Sequence, residues 1–324
     1  MKVALSYEMI NMNSSLSGNM NLTYKWYWED IVDWTAATGF DSIALTMVPN
    51  QFNVGRGGAP RCTLAINTKY GSAQGYLAFL NDRGIKDVCA MNVSAQAMLA
   101  DMFESGKRFE DLFPEFYSYA ADVTDMLAAL GGKTLLVSPT PGIGALKGRF
   151  GDDEAALDKF TGEAVECLGK IAEMAASKGV KACLANDFWT LARGEQADRF
   201  LAELDPALVG YAPSTAMLRI AGADPVKELE RHFDRLGAVV FTDSDFVDTV
   251  DVYASPAPEY PQFGPQQRVY KDLGYGSVDL AGAYALLKSK GFDGTVILEP
   301  RYTTNAPRAL LRTRTFWTKL TKEA

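Results

Sequence analysis

A single histidine, His232, occurs in 324 residues, so no centre that needs two imidazoles can be assembled from this chain. The four cysteines (Cys62, Cys89, Cys167 and Cys183) are scattered, without a CxxC pair or zinc-ligand spacing. Cys89 and Cys183 stand inside apolar strand-like runs, where a reduced thiol acts as a small hydrophobe. That usage fits a reducing, cytoplasmic setting. No apolar run approaches a bilayer span, and the first residues carry neither an apolar signal core nor a cleavage site. Basic residues are outnumbered 40 to 32, a net charge of −8, which argues against nucleic-acid and anionic-membrane partners. Linker-like and low-complexity stretches are missing too. The glycine-rich segment 53–60 is not followed directly by a helix and matches no phosphate-loop pattern.

What is present is a regular alternation, in a chain with 48% hydrophobic residues and an ordinary charged fraction. Residues 1–7 read as a strand. Residues 24–38 follow as a helix with Trp28, Ile31, Val32 and Ala36 at helical spacing, closed by Gly39. Strands are expected at 41–48, 87–93, 133–137, 180–185, 208–212 and 238–241, with helices at 71–82, 109–130, 152–177, 194–204, 225–236 and 277–290. The last strand is the run Val296-Ile297-Leu298, and 305–319 is an amphipathic terminal helix. Eight strands alternating with eight helices force parallel pairing with the helices outside. The expected fold is α/β, a (β/α)8 TIM barrel forming one domain over residues 1–324. A doubly wound open sheet is the alternative, but it would usually show a glycine-rich first turn, and none follows Tyr7.

In such a barrel the chemistry sits just beyond the carboxyl ends of the strands. The strand Val296-Ile297-Leu298 stops in Glu299-Pro300-Arg301, because Pro300 cannot donate to a ladder. A carboxylate so fixed is the first candidate for catalysis, against the plainer reading of an ion pair with Arg301. The rest of the rim contributes Tyr7, Glu8, Thr46, Asn92, Ser138, Thr140, Asn186, Asp187, Ser214, Thr215, Asp243 and Asp245. A polar rim of this kind suits polyols, since each buried hydroxyl left unpaired is costly. Asp187 serves equally as a helix cap, and Asp243 with Asp245 as a solvated loop pair. Phe188 and Trp189 are candidates to stack on a substrate, whereas Trp26-Tyr27-Trp28 reads as helix packing. The proline-rich segment 251–272 reads as a lid or a partner surface, with Arg268 near its far end.

The order from Tyr7-Glu8 to Glu299 resembles the xylose isomerase-like barrels, the sugar phosphate isomerase/epimerase group. That group also contains inosose dehydratase, tagatose 3-epimerase and the large subunit of C-glycoside-cleaving enzymes. The likeness is most specific in Leu273-Gly274-Tyr275-Gly276-Ser277-Val278-Asp279-Leu280 and in the turn Ile220-Ala221-Gly222-Ala223-Asp224-Pro225. It implies a divalent metal on four ligands, at positions that read here Ala185, Ser214, Val240 and Glu299. Two of these have no donor atom, so no metal ligand set and no cofactor is expected. Mg²⁺ or Mn²⁺ enters only if Asp187, Asp243, Asp245 and Glu299 regroup. The resemblance implies isomerase, epimerase or lyase chemistry through an enolate on a sugar or other small carbohydrate-like substrate. Glu299, Asp187 and Asp243 are the catalytic candidates. Asn92, Asn186, Phe188, Trp189, Ser214, Arg268 and Arg301 are the substrate-binding ones, with Arg301 or Arg268 as electrophilic partner. It also implies a homo- or hetero-oligomer. The alternative is a barrel without catalysis, serving as one subunit of a hetero-oligomeric enzyme.

Overall fold

The computed structural model describes residues 1–9, 25–50, 60–255, 269–303 and 305–323, side chains excepted at 25–27 and 323. The expected segments 53–59 and 256–268, with Arg268, and the side chains of Trp26 and Tyr27 lie outside the described residues. Eight strands form one parallel sheet: β1 (Lys2–Ser6), β2 (Ser42–Thr46), β3 (Asp87–Ser94), β4 (Thr134–Ser138), β5 (Lys181–Ala185), β6 (Val209–Ala212), β7 (Ala238–Phe241) and β8 (Thr295–Leu298). Their order is β6-β5-β4-β3-β2-β1-β8-β7, so sequential neighbours pair and the first strand meets the last. Helices connect them, as the alternation predicts.

Strand parity sorts the apolar residues into two sets. Ala4, Ala44, Ala90, Leu136, Cys183, Ala212, Ala238, Val240 and Ile297 form one buried cluster, the barrel lumen, joined out of parity by Cys89, the extra residue where the register of β2 and β3 shifts. Leu5, Ile43, Leu45, Met91, Leu135, Leu184, Val239, Phe241, Val296 and Leu298 belong to the larger cluster that the helices cover. The lumen side chains are mostly small, with Leu136, Val240 and Ile297 as the larger ones. The same parity continues toward the carboxyl ends of four strands. Ser6 follows Ala4, Asn92 follows Ala90, Ser138 follows Leu136, and Glu299 follows Ile297. The polar groups at the carboxyl mouth are therefore set by an alternation that begins inside the core.

Sheet order leaves β6 and β7 without a ladder, and this seam is closed in another way. Pro213, with no N–H, interrupts the strand, and only isolated parallel bridges join Tyr211 to Leu236 and Ser214 to Val240. Side chains complete the join. The hydroxyls of Ser214 and Thr242 lie 2.6 Å apart, Thr215 Oγ1 donates to the Thr242 carbonyl at 2.6 Å, and the Ala216 amide donates to Thr242 Oγ1 at 2.9 Å. Thr242→Val should strip a partner from Ser214 and orphan the buried Ala216 N–H. A loss of about 2 kcal/mol is expected in a denaturant titration, with no change in m-value.

Four helices were not anticipated: Thr63–Tyr70, Ala95–Glu104, Ile143–Phe150 and Thr215–Ile220. Each lies in a connection after a strand, where strand-end residues double as caps. Ser94 closes β3, yet its hydroxyl also accepts from the Gln96 amide at 3.2 Å. Asp224 accepts from the amides of Val226 and Lys227, with Pro225 in the first turn. Among the described residues, no helix is long and apolar enough to cross a membrane.

Candidate active site

The turn after β8 aims the central residues. The Arg301 amide donates to the Glu299 carbonyl at 2.8 Å, an i to i+2 bond that makes Pro300 the middle of a γ-turn. Proline's fixed φ suits that place, and the turn folds Arg301 back beside Glu299. Tyr302 then takes a left-handed conformation, φ 50°, with its amide bonded to the Glu8 carbonyl at 3.1 Å. A tyrosine is held there only by surrounding structure.

The result is a buried chain of alternating charge. Arg301 Nη1 donates to Glu299 Oε1 at 3.0 Å, and Ser6 Oγ donates to Glu299 Oε2 at 2.8 Å. Arg301 Nη2 lies 3.9 Å from Glu8 Oε1, and Arg61 lies 3.8 Å from Glu8 Oε2. Glu8 and Glu299 are each 6% exposed and Arg301 is 8% exposed, so these charges are largely removed from water. Trp189, Tyr270 and Tyr302 surround the guanidinium with ring centroids at 5.6, 5.3 and 4.9 Å. Burial pushes the Glu299 carboxyl above its ordinary range, with Glu8 adding to the rise and Arg301 opposing it. The same burial pushes Tyr302 up to about 12.

Asp187 is the second carboxyl of the mouth. Its Oδ2 accepts from Ser138 Oγ on the neighbouring strand, and burial raises its carboxyl too, against the pull of Arg301. Its side chain caps no helix among the described residues; the turn that follows is bonded through its carbonyl to Thr190. Asn92 supplies a further polar group, its buried Oδ1 without a hydrogen-bond partner among the described residues. Arg301 opposes the rise of the Asp187 carboxyl as it does that of Glu299, and its guanidinium lies 5.3 Å from the Tyr270 ring centre. The mouth can therefore move protons between two raised carboxyls next to a fixed cation.

A family profile of the xylose isomerase-like TIM barrels matches residues 32–320. The chain belongs to that family. An inosose dehydratase of Geobacillus thermodenitrificans is 24% identical over 207 residues, 61% of this chain and 65% of that protein. The chain's match thus spans just under two thirds of that relative. Among solved structures, the probable 3-DHS dehydratase AsbF of Bacillus anthracis superposes with TM-score 0.65 at 16% identity, over 98% of this chain and 99% of that one. The IOLI protein, solved with a zinc atom bound, gives TM-score 0.65 at 16% identity, over 100% and 99% of the two chains.

This xylose isomerase-like barrel carries no ligand set of the kind the resemblance implies. Ala185 and Val240 offer hydrocarbon, and Val240 is packed in the lumen. The Ser214 hydroxyl is engaged with Thr242, and Glu299 already faces a guanidinium. Among the described residues, no three of His, Cys, Asp or Glu are grouped to hold an ion. His232 ends the helix Pro225–Arg231, with Nε2 2.9 Å from an Asp198 oxygen. The donors among the described residues do not fit a divalent metal.

Several expected site residues have other duties. Asp243 accepts four backbone N–H groups, from Ser244 at 2.9 Å, Gly274 at 3.0 Å, Gly276 at 2.9 Å and Val278 at 3.2 Å. It is a pin for the loop before the helix Leu280–Ser289, not a free acid, although burial raises its carboxyl against those donors. Gly276 is required by this arrangement, since a Cβ there would stand 2.6 Å from Asp243 Cγ and 2.8 Å from the Ser244 amide. Asp245 is half exposed and 3.2 Å from Lys271, so the two aspartates form no pair. Phe188 is 2% exposed in an apolar cluster with Ala216, Met217, Ile220, Val269 and Tyr270, which removes it as a stacking platform. Asn186 bonds the backbone of Ser214, its Oδ1 accepting from the amide at 2.7 Å, and both residues belong to the seam. Glu299, Asp187, Arg301, Asn92 and Trp189 remain at the mouth. Ser6, Arg61, Tyr270 and Tyr302 join them; none of the four was singled out in the sequence, where only the alternation from Ala4 to Ser6 offered a signal.

Proposed function

We propose that the chain is an isomerase, epimerase or dehydratase acting by enolate-type proton transfer on a carbohydrate-like carbonyl compound, without a divalent metal. The observation that carries this reading is Glu299. It is a carboxyl buried at a strand end, held by Ser6 and Arg301, and raised toward a useful range for a base. Glu299 takes the proton from the carbon beside the carbonyl. The released pair forms the carbon–carbon double bond, and the carbonyl π pair moves onto oxygen as an enolate. Asp187 returns a proton: to the opposite face for epimerisation, to the former carbonyl carbon after enediol transfer for isomerisation, or to a departing β-hydroxyl, which leaves as water. The unpartnered Oδ1 of Asn92 offers an acceptor to a substrate hydroxyl. The dehydratase relatives of similar fold support the lyase branch.

The test is solvent exchange. Chelator-treated protein is incubated in D₂O with unphosphorylated ketohexoses and inososes, and proton NMR follows deuterium entering beside the carbonyl. Exchange that disappears in Glu299→Gln is the expected result. Absence of exchange on every candidate, with stable assembly to a second protein chain, would favour a non-catalytic subunit instead.

A further inference from the structure

Arg301 is more than the counter-ion of Glu299. Its side chain is nine-tenths buried, enclosed by Trp189, Tyr270 and Tyr302, and two of its three nitrogens are accounted for. Nη1 serves Glu299, while Nη2 lies near Glu8 and 3.5 Å from the Tyr302 hydroxyl. The third, Nε, is a buried donor with no acceptor among the described residues. An unpaired buried donor is costly, and a ligand oxygen would remove the penalty. At the same mouth, the positions that the family resemblance assigns to metal ligands hold Ala185, Val240, an engaged Ser214 and a paired Glu299.

We propose that the guanidinium of Arg301 is the resident cation of this barrel, binding the substrate's carbonyl oxygen through Nε–H where metal-dependent relatives use an ion. The inference rests on the enolate reading above and assigns it an electrophile. Developing negative charge on the oxygen is then met by a fixed planar donor, already charged and already oriented, so little reorganisation accompanies the reaction. The γ-turn at Pro300 makes the assignment geometrically specific, because it holds the base of Glu299 and the cation of Arg301 two residues apart on one rigid turn. A divalent ion at Glu299 would stand against a fixed positive charge, so the two solutions exclude each other.

The experiment uses full-length, chelator-treated protein with ¹⁵N-labelled arginine, and acetohydroxamate as a mimic of an enediolate. The Arg301 Nε–H resonance, identified by its loss in Arg301→Lys, is expected to shift on addition of the probe. The probe should bind roughly tenfold more weakly to Arg301→Lys, which keeps the charge and loses the fork. Mn²⁺ alone, followed by electron paramagnetic resonance, should find no stoichiometric site in the wild type. Stoichiometric Mn²⁺ uptake by the wild type would overturn the proposal. So would probe binding that leaves the Arg301 resonance unmoved, or no probe binding at all. If Arg301→Lys does not fold, the resonance is assigned with Glu299→Gln, and the wild-type titrations decide the matter alone. A shifted resonance in a protein that exchanges no substrate proton would keep this inference and remove the proposed reaction.

Discussion

Glu299→Gln is expected to lower kcat/KM by about 10³-fold, within the range for loss of a general base, while the barrel stays folded. Glutamine keeps the shape, and its amide can still accept from Arg301 Nη1 and donate to Ser6 Oγ, the two bonds that Glu299 now makes. What disappears is the capacity to carry a proton. The pH profile gives a second reading. Burial raises the Glu299 carboxyl in the folded protein, so it stays protonated to higher pH than an exposed glutamate at about 4.3. A base must be ionised, so the acid limb of kcat/KM should fall off above that value. Stability follows the same sign. A raised folded-state carboxyl contributes stability in acid that is lost as the pH climbs through the folded value, so at neutral pH the ionised group is a burden on the fold. The glutamine variant should therefore melt no lower than the wild type by more than a few degrees. An enzyme with unchanged kcat/KM after this substitution would remove Glu299 from the mechanism.

The carboxylate of β8 was legible because two independent patterns agree on it. An apolar run marks a covered strand, and proline two residues past Leu298 marks where the ladder ends. The barrel was legible in the alternation of eight apolar runs with helices. Arg301 was legible as a neighbour, but not its enclosure. Tyr270 comes from the far side of a long connection and Trp189 from the turn after β5, and nothing in local spacing says that two such rings meet over one guanidinium. Phe188 and Trp189 show how coarse that signal is. They are adjacent aromatics, yet one is buried among Met217 and Ile220 and only the other reaches Arg301. The seam between β6 and β7 was hidden too, since Ser214 and Asn186 are as plausible at a sugar as at a backbone amide. Side-chain type gives the chemistry a residue can do; only the chain path gives the partner that uses it.

Asp243 makes that point sharply, and it carries the largest stability effect expected here. Asp243→Ala should cost about 4 kcal/mol, comparable to breaking a buried charged contact. Four amides converge on this one carboxylate, and three come from residues 274, 276 and 278, more than thirty positions away. The sequence motif Leu273-Gly274-Tyr275-Gly276-Ser277-Val278 is thus the cradle of an anion supplied by the protein itself. Gly274 has φ 81°, which its missing side chain permits, and Gly276 leaves the space the carboxylate fills. Asp243→Asn should be nearly as damaging as alanine. Whichever way the amide is turned, its NH₂ group faces amide donors where an oxygen now accepts. The pin also reaches the mouth, because the Asp243 carbonyl accepts from the Lys271 amide at 2.9 Å, next to Tyr270 of the Arg301 enclosure. Activity should therefore weaken in these variants through loosened positioning, with KM rising and the acid limb of the pH profile unmoved. Denaturant titration and kinetics on the same samples separate this from chemistry. A variant of wild-type stability whose acid limb has vanished would make Asp243 a proton carrier after all.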